Sequence, residues 1–300
     1  MVQYSCLGSD IVKILTTPRN KNELNKLLTY SDAFLFGIEG FSVNFANNFK
    51  LEQIKEFNKI IKQNNKQIFI SLNKNMHNND IKKVKEILLS LNELNINGLF
   101  FYDVGIVNLK NKLNLNYDLV WAQEHLTTNY NTCNFWYQQK VKYAFISSEI
   151  TKEEILKIKQ NTKMKLIVTL FGYLPMFTSK RHLVDNYLQT FKLDKKGYYI
   201  HKENKIYPII DNNEGTVVYS NYILNGLEEY LELKSNNIDY IFLNNFNIDE
   251  KTFLKVVSNY KKLNSKNLEK IKAELNQLIT NTSKGFLYTE TIYKVKKNEK

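Results

Sequence analysis

The chain has 300 residues, 43% hydrophobic and 24% charged with only three prolines, proportions that support a sizeable core and exclude an intrinsically disordered or collagen-like polypeptide. Its 42 Lys and Arg against 30 Asp and Glu give a net charge of +12, which favours polyanionic partners such as RNA, although abundant Asn and Lys with scarce Arg also fit an AT-rich coding bias. No apolar run approaches the roughly 18–20 residues needed to cross a bilayer, and residues 1–17 lack the basic-then-apolar order of a secretory leader, so the expected setting is soluble and cytoplasmic, with no membrane partner.

From Ile11 onward, short apolar runs alternate with stretches of helical period, the pattern of successive βα units. The strand segments are Ile11 to Thr16, Ala33 to Glu39, Gln67 to Asn73, Gly98 to Asp103, Leu119 to Glu124, Tyr143 to Ser148, Leu166 to Phe171 and Tyr240 to Asn244. Between them, Leu51, Ile54, Phe57 and Ile61, and then Ile81, Val84, Ile87, Leu88 and Leu91, recur every three or four residues and put an apolar stripe against a sheet. Thr151-Lys152-Glu153-Glu154 ahead of Ile155 reads as a capping box that starts the sixth helix. Near-continuous apolar strands of this number favour a closed parallel barrel; a doubly wound open sheet is the alternative.

The stretch from Gly172 to Asp239 is too long for one helix. Tyr198 to Ile200 and Tyr207 to Ile210 flank a polar turn, and Thr216 to Tyr219 follows Asn213-Glu214-Gly215, so a β-hairpin or small three-stranded insert is expected over the barrel mouth. After Ser265, Leu268, Ile271, Leu275, Leu278 and Ile279 give another helix, followed by Gly285-Phe286-Leu287-Tyr288 and a Lys-rich end. The expected fold class is α/β: a (β/α)8 TIM-like barrel over residues 1–264, with a β-hairpin insertion (190–222) between strands 7 and 8, and a C-terminal helical and strand extension over 265–300.

In such a barrel the C-terminal strand ends share one mouth. Here they carry Thr16, Thr17, Glu39, Asn73, Asp103, Gln123, Glu124, His125, Ser148, Glu149, Gly172, Asn244 and Asn245. Any one polar strand end simply leads into a loop, but Glu39, Asp103, Glu124 and Glu149 together would have to share protons, hold cations or pair with Arg. The chain has only two arginines, Arg19 and Arg181, and Arg181 is the expected partner. It lies in the Gly172 to Tyr187 loop, where Ser179 and Lys180 add donors suited to phosphate or carboxylate; a capping loop with a basic face is the plainer reading.

His77, just past the third strand, is a candidate general acid or base, as is His125 beside Glu124; either histidine could equally serve only its loop. No H-E-x-x-H, G-x-S-x-G, G-x-x-x-x-G-K or G-x-G-x-x-G occurs, which leaves zinc hydrolysis, serine hydrolysis, nucleotide hydrolysis and dinucleotide binding without support. The only cysteines, Cys6 and Cys133, are far apart and cannot build a disulfide framework or a thiolate metal site within this chain. Cys133, among Phe135, Trp136 and Tyr137, reads as a core residue.

Several of these segments, in this order, resemble the U32 peptidase family: Asp32-Ala33-Phe34-Leu35-Phe36-Gly37, Phe41-Ser42, Asn48-Phe49, Asn73 to Asn78, Trp121 to Asn134, Ser148-Glu149-Ile150, the Gly172 to Tyr187 loop, Tyr207-Pro208-Ile209-Ile210-Asp211, Gly215-Thr216 and Thr291 to Val295. The run Glu124 to Trp136 and the run Ser179 to Tyr187 look most like short members that occur beside a longer paralogue associated with hydroxylation of the tRNA wobble uridine. The resemblance implies a peptidase or collagenase activity for some members. For others it implies RNA or quinone hydroxylation, with an iron–sulfur cluster on four cysteines. Where cluster-bearing relatives place two of those cysteines, Pro175 and His182 stand here, and Asn44 stands in place of a common arginine.

The expectation is therefore a part in tRNA wobble-uridine hydroxylation, with a collagenase-like peptidase and a non-catalytic RNA- or partner-binding scaffold as alternatives. Glu39, His77, Asp103, Glu124 and Glu149 are the candidate catalytic residues. Asn73, Ser179, Arg181, Asn186 and Tyr187 are the candidate substrate-binding residues, positioning a small carboxylated donor or a flipped base. No metal ligands and no cofactor are expected in this chain. An iron–sulfur cluster is expected only on a partner, the longer U32 paralogue, while the basic surface holds tRNA.

Overall fold

The computed structural model describes residues 12–123, 125–194 and 199–290. Eight parallel strands form a closed ring: β1 (Lys13–Thr16), β2 (Ala33–Ile38), β4 (Gln67–Leu72), β5 (Gly98–Phe101), β6 (Asp118–Trp121), β7 (Tyr143–Phe145), β8 (Lys165–Ser179) and β12 (Tyr240–Leu243). Each pairs with its sequence neighbour in the ring, and β12 pairs with both β8 and β1, which closes it. The short β3 (Asn48–Phe49) adds a parallel pair to β2. The expected α/β barrel is thus the observed fold.

Helices α1 (Lys21–Leu27), α2 (Leu51–Gln63), α3 (Ile81–Glu93), α4 (Gly105–Lys112), α5 (Tyr130–Gln138) and α6 (Lys152–Asn161) alternate with the first seven barrel strands. The stripes anticipated from spacing are the buried ones: Ile54, Phe57 and Ile61 on α2, and Val84, Ile87, Leu88 and Leu91 on α3. Side-chain oxygens of Asn20, Asn129 and Thr151 accept from the third backbone N–H of α1, α5 and α6, satisfying donors that the helix itself cannot. Asn65, Asn95 and Asn114 take left-handed conformations just past α2, α3 and α4. Part of the asparagine excess is therefore spent ending helices, since Asn tolerates that conformation better than most side chains.

The seventh strand departs most from the expected boundaries. Instead of stopping at Phe171, β8 runs on to Ser179, and its second half pairs antiparallel with β11 (Gly215–Asn225). The sheet then continues through β10 (Lys205–Asn212) to β9 (Tyr199–Lys202), with α7 (Leu183–Phe191) beside it. This extension stands on the barrel mouth because β8 belongs to both. Gly172 permits the departure: its φ is +122°, and a Cβ there would lie 2.8 Å from the Cβ and carbonyl oxygen of Asn244.

After α8 (Glu229–Ser235), β12 and α9 (Glu250–Lys262), the chain closes with α10 (Leu268–Leu278) and β13 (Thr282–Ser283), which pairs parallel with β11. Buried Glu229 anchors this segment by accepting from Lys284 Nζ at 2.8 Å and Tyr288 Oη at 2.9 Å. Cys6, Tyr198 and the run 291–295 lie outside the described residues. Among the described residues no helix is long and apolar enough to cross a membrane.

Candidate functional site

Alternate residues of a strand face opposite sides, so each barrel strand sends every second side chain inward. The deeper inward layer is aromatic: Phe69, Tyr143 and Tyr240 meet edge to face with centroids 5.7–6.0 Å apart. Two residues further along the same strands, Ser71, Phe145 and Phe242 join Leu35 and Phe100 around a cavity of about 290 Å³. The next inward positions, Asn73, Tyr102, Ser147 and Asn244, form its walls.

Three further segments close the site. The loop after β2 turns back over the mouth: Ser42 Oγ accepts from Ile38 N–H at 2.7 Å and donates to Ser71 O at 2.6 Å. Asn73 exchanges two hydrogen bonds with the backbone of Val43, at 2.9 and 3.0 Å. Gly37 makes room for the fold-back, since a Cβ there would lie 2.1 Å from Asn48 Oδ1. This delivers Phe45 and Asn44 to the wall, Asn44 in a left-handed conformation (φ 67°) with its Oδ1 buried and, among the described residues, without a hydrogen-bond partner. From the extension come Tyr173, Pro175, Met176, Tyr207, Ser220 and Tyr222, and from the C-terminal segment comes Phe286. Register shifts in the β8–β11 ladder re-aim residues 219–222, and Ser220 Oγ satisfies the irregular backbone by accepting from Leu174 N–H and donating to Tyr222 O.

The ionisable character of the cavity is sparse. His125 and Glu149 face each other at its rim, Nδ1 to Oε1 3.4 Å, both about half exposed. Burial raises the phenol of Tyr222, and the nearby Glu149 charge adds to this, so Tyr222 stays a protonated donor. Burial, then Tyr199, raises Tyr173. Among the described residues no lysine or arginine lines the cavity. A His–Glu pair beside aromatic walls and neutral amides can orient a flat, uncharged ligand and move a proton at its edge.

Of the residues singled out from sequence, Asn73, His125, Ser148, Glu149 and Asn244 line this cavity. Asn73 is committed to Val43, which makes it a positioning residue. Glu39 is exposed in the turn after β2 and outside the lining. Asp103 has the outward parity on β5, and its Oδ1 accepts from Gly105 N–H at 2.8 Å at the start of α4. His77 is exposed, with Nε2 3.1 Å from Lys180 Nζ. Glu124 lies outside the described residues. Ser179, Arg181, Asn186 and Tyr187 sit on the extension beyond the cavity. The expected meeting of Arg181 with the mouth carboxylates is therefore not what the fold builds: the lengthened β8 carries Arg181 past the rim, where it is exposed. Tyr102, Ser147 and Thr169 were missed, although the two-residue period marks them.

Two metal arrangements can be tested against these residues. His182, Asp185 and Asp211 offer ligand atoms within 4.8 Å of one another. Asp211, however, already accepts from Val184 and Asp185 N–H at 2.7 and 3.2 Å and lies 3.1 Å from His182 Nδ1, so its carboxylate serves as the cap of α7. A four-thiolate iron–sulfur cluster does not fit. The sequence has two cysteines, and Cys133 is fully buried with its thiol pushed up to about 12 by that burial. Pro175 lines the cavity and His182 pairs with Asp211.

Arg19 has a structural role. It pairs with fully buried Glu23 through Nε and Nη2 at 3.2 and 2.9 Å and donates to Ile248 O at 2.6 Å, while Asn245 Nδ2 also donates to Glu23. This ties α1 to the loop after β12 beneath the mouth.

Comparison with known proteins places this architecture. The profile of peptidase family U32 matches residues 19–298. The tRNA hydroxylation protein P2 of Bacillus subtilis (strain 168) is 26% identical over 239 residues, which cover 76% of this chain and 77% of that protein. The tRNA hydroxylation protein P1 of the same organism is 20% identical over 178 residues, covering 59% of this chain and 42% of that protein. The relatives thus include a P1 and a P2 from one organism. The solved structure of the U32 peptidase Mk0906 superposes with a TM-score of 0.52 at 10% identity, covering 81% of this chain and 96% of that one, a likeness of fold. With a family profile spanning nearly its whole length, this chain belongs to peptidase family U32.

Proposed function

We propose that this chain takes part in tRNA hydroxylation, holding the target base in the barrel-mouth cavity while a longer U32 paralogue supplies the oxidising centre. The observation that carries this reading is the cavity itself: aromatic walls, neutral amides and hydroxyls, a His–Glu pair at the rim, and, among the described residues, no lysine or arginine in its lining. Such a lining favours a flat neutral base, the wobble uridine on the family resemblance, over a carboxylate. Phe45, Phe100, Tyr102 and Phe145 would flank the ring. Asn44, whose buried Oδ1 has no partner among the described residues, would accept from a ring N–H, and the His125–Glu149 pair would move a proton at the reacting edge. The small carboxylated donor would bind on the paralogue, as the described residues of this cavity offer it no lysine or arginine. The cytoplasm, where tRNA resides, is the fitting compartment.

The test is deletion of the gene followed by mass spectrometry of tRNA nucleosides. Loss of 5-hydroxyuridine-type nucleosides, restored by the wild-type chain and not by Glu149→Gln, is the expected result. Unchanged nucleosides in the deletion strain would sink the reading. A second reading, peptide hydrolysis with water activated by the same His125–Glu149 pair, is supported by the family's naming activity. Purified protein that releases peptides from gelatin, and ceases to do so as Glu149→Gln, would favour it.

A further inference from the structure

We propose that the extension formed by the outer half of β8 with α7, β9, β10 and β11 is an RNA-holding surface, which grips a single-stranded loop beside the cavity that receives its base. The proposal rests on the tRNA reading above and deepens it by naming the surface.

The extension exposes what a folded chain normally hides. Sixteen large apolar side chains are exposed among the described residues, and nine of them fall between Met176 and Ile206. Helix α7 buries none of its residues, and all four residues of β9 are exposed. A concentration of this kind marks a contact surface. Four of the nine are aromatic: Phe177, Tyr187, Phe191 and Tyr199. Tyr187 and Phe191 sit one helical turn apart with ring centroids 4.7 Å from each other.

Charge selects the partner. Among the described residues of 176–206, five Lys and Arg stand against three Asp and Glu, with Lys180, Arg181, Lys192, Lys202 and Lys205 all exposed. A second copy of this chain would bring like charges together, whereas a phosphate backbone complements them. Arg181 is the clearest case. Its N–H donates to Ser179 Oγ at 3.2 Å and its carbonyl accepts from Thr216 Oγ1 at 2.7 Å, so the backbone is fixed while the guanidinium faces solvent. Interleaved aromatics and cations are the recognition chemistry of single-stranded RNA, bases stacking on rings and phosphates meeting guanidinium and ammonium groups.

The surface is continuous with the cavity. Pro175, Met176 and Tyr207 belong to the extension and line the cavity as well. Tyr199 on β9 lies close enough to Tyr173 in the cavity wall for the two phenols to influence each other. Lys180 reaches back to Asn75 O at 2.5 Å and to His77 Nε2 at 3.1 Å, joining the extension to the loop after β4. A loop held here would present a flipped base directly to the mouth.

The experiment measures binding of the full chain to unfractionated tRNA and to an anticodon stem-loop hairpin by fluorescence anisotropy across a salt series. Tyr187→Ala with Phe191→Ala should weaken binding at least about tenfold. Arg181→Gln should weaken it severalfold and reduce the log–log salt slope by about one. Lys59→Gln with Lys85→Gln, on the exposed faces of α2 and α3, should leave affinity within about twofold. Because every substituted side chain is exposed, melting curves should superimpose. If the wild type binds tRNA and the extension variants bind it equally well, the surface is overturned and the tRNA reading stands. If the wild type binds no tRNA, both fall. A co-purifying protein lost from the Tyr187 and Phe191 variant, with tRNA affinity kept, would make this a protein contact and overturn the proposal.

Discussion

The two ends of the barrel interior are built from the same strands, two residues apart, and they do opposite things. At the deeper end Phe69, Tyr143 and Tyr240 fill the lumen edge to face, Tyr240 Oη donates to Gln67 Oε1 at 2.8 Å, and Lys13 and Lys165 cover the Tyr240 and Tyr143 rings. Burial drives the Tyr240 phenol far above its ordinary value, so it remains an uncharged donor at any working pH. At the other end Phe100, Phe145 and Phe242 surround about 290 Å³ of open space. One pleat along each strand turns a plug into an open cavity, so the packed core and the proposed binding site are separated by a single step of the side-chain alternation.

Substitutions can break or sharpen this contrast. The largest loss should come from Phe69→Ala, about 3–5 kcal/mol by urea titration, because the ring is fully buried and touched on all sides. Arg19→Ala should cost about 3 kcal/mol by leaving Glu23 buried without its cation. At the mouth, Phe145→Ala should cost about 1–3 kcal/mol, since that ring already borders empty space, yet it should abolish tRNA hydroxylation in complemented cells. Equal losses for Phe69→Ala and Phe145→Ala would erase the distinction between the two ends. Glu149→Gln and His125→Ala should change stability by no more than about 0.5 kcal/mol while removing activity, because both groups are half exposed.

The smallest effect concerns acid. Hydrogen bonds from Lys272, then Lys284, hold the Glu228 carboxyl below its ordinary value. The folded value is thus lower than the unfolded one near 4.3. Its stabilisation is present above that pH and is lost as pH falls through the folded value. This partly exposed cluster should contribute only a few tenths of a kcal/mol. Glu228→Gln should flatten that part of the stability curve between about pH 5 and pH 3 in thermal melts.

The barrel was legible because its strands are short runs of apolar residues and its helices bury stripes at three and four residues. The reach of β8 was not. Gly172 and Pro175 read as loop signals, yet Gly172 marks the departure from β12 and Pro175 pairs with Tyr219 beside a register shift, where a strand tolerates proline. The same extension displaced Arg181 from the mouth. Parity decided the remaining candidates: Asp103 follows inward Tyr102 and so points outward, whereas Glu149 keeps step with Tyr143, Phe145 and Ser147. Polar character at a strand end named positions; the pleat selects among them. Phe286 and the Asn44 loop come from elsewhere in the chain, and no local pattern places them there.

Strand β8 is both a stave of the barrel and the arm of the extension. From Phe171, opposite Leu243, to Ser179, opposite Thr216, it makes eight residue steps. At about 3.3 Å per step this is a span of roughly 26 Å along one covalent ribbon. Such a ribbon acts as a gauge. Inserting two residues would preserve which side chains face inward while moving the far end by about 7 Å, so that on the proposed reading the cavity would address a different position along an RNA held beyond it.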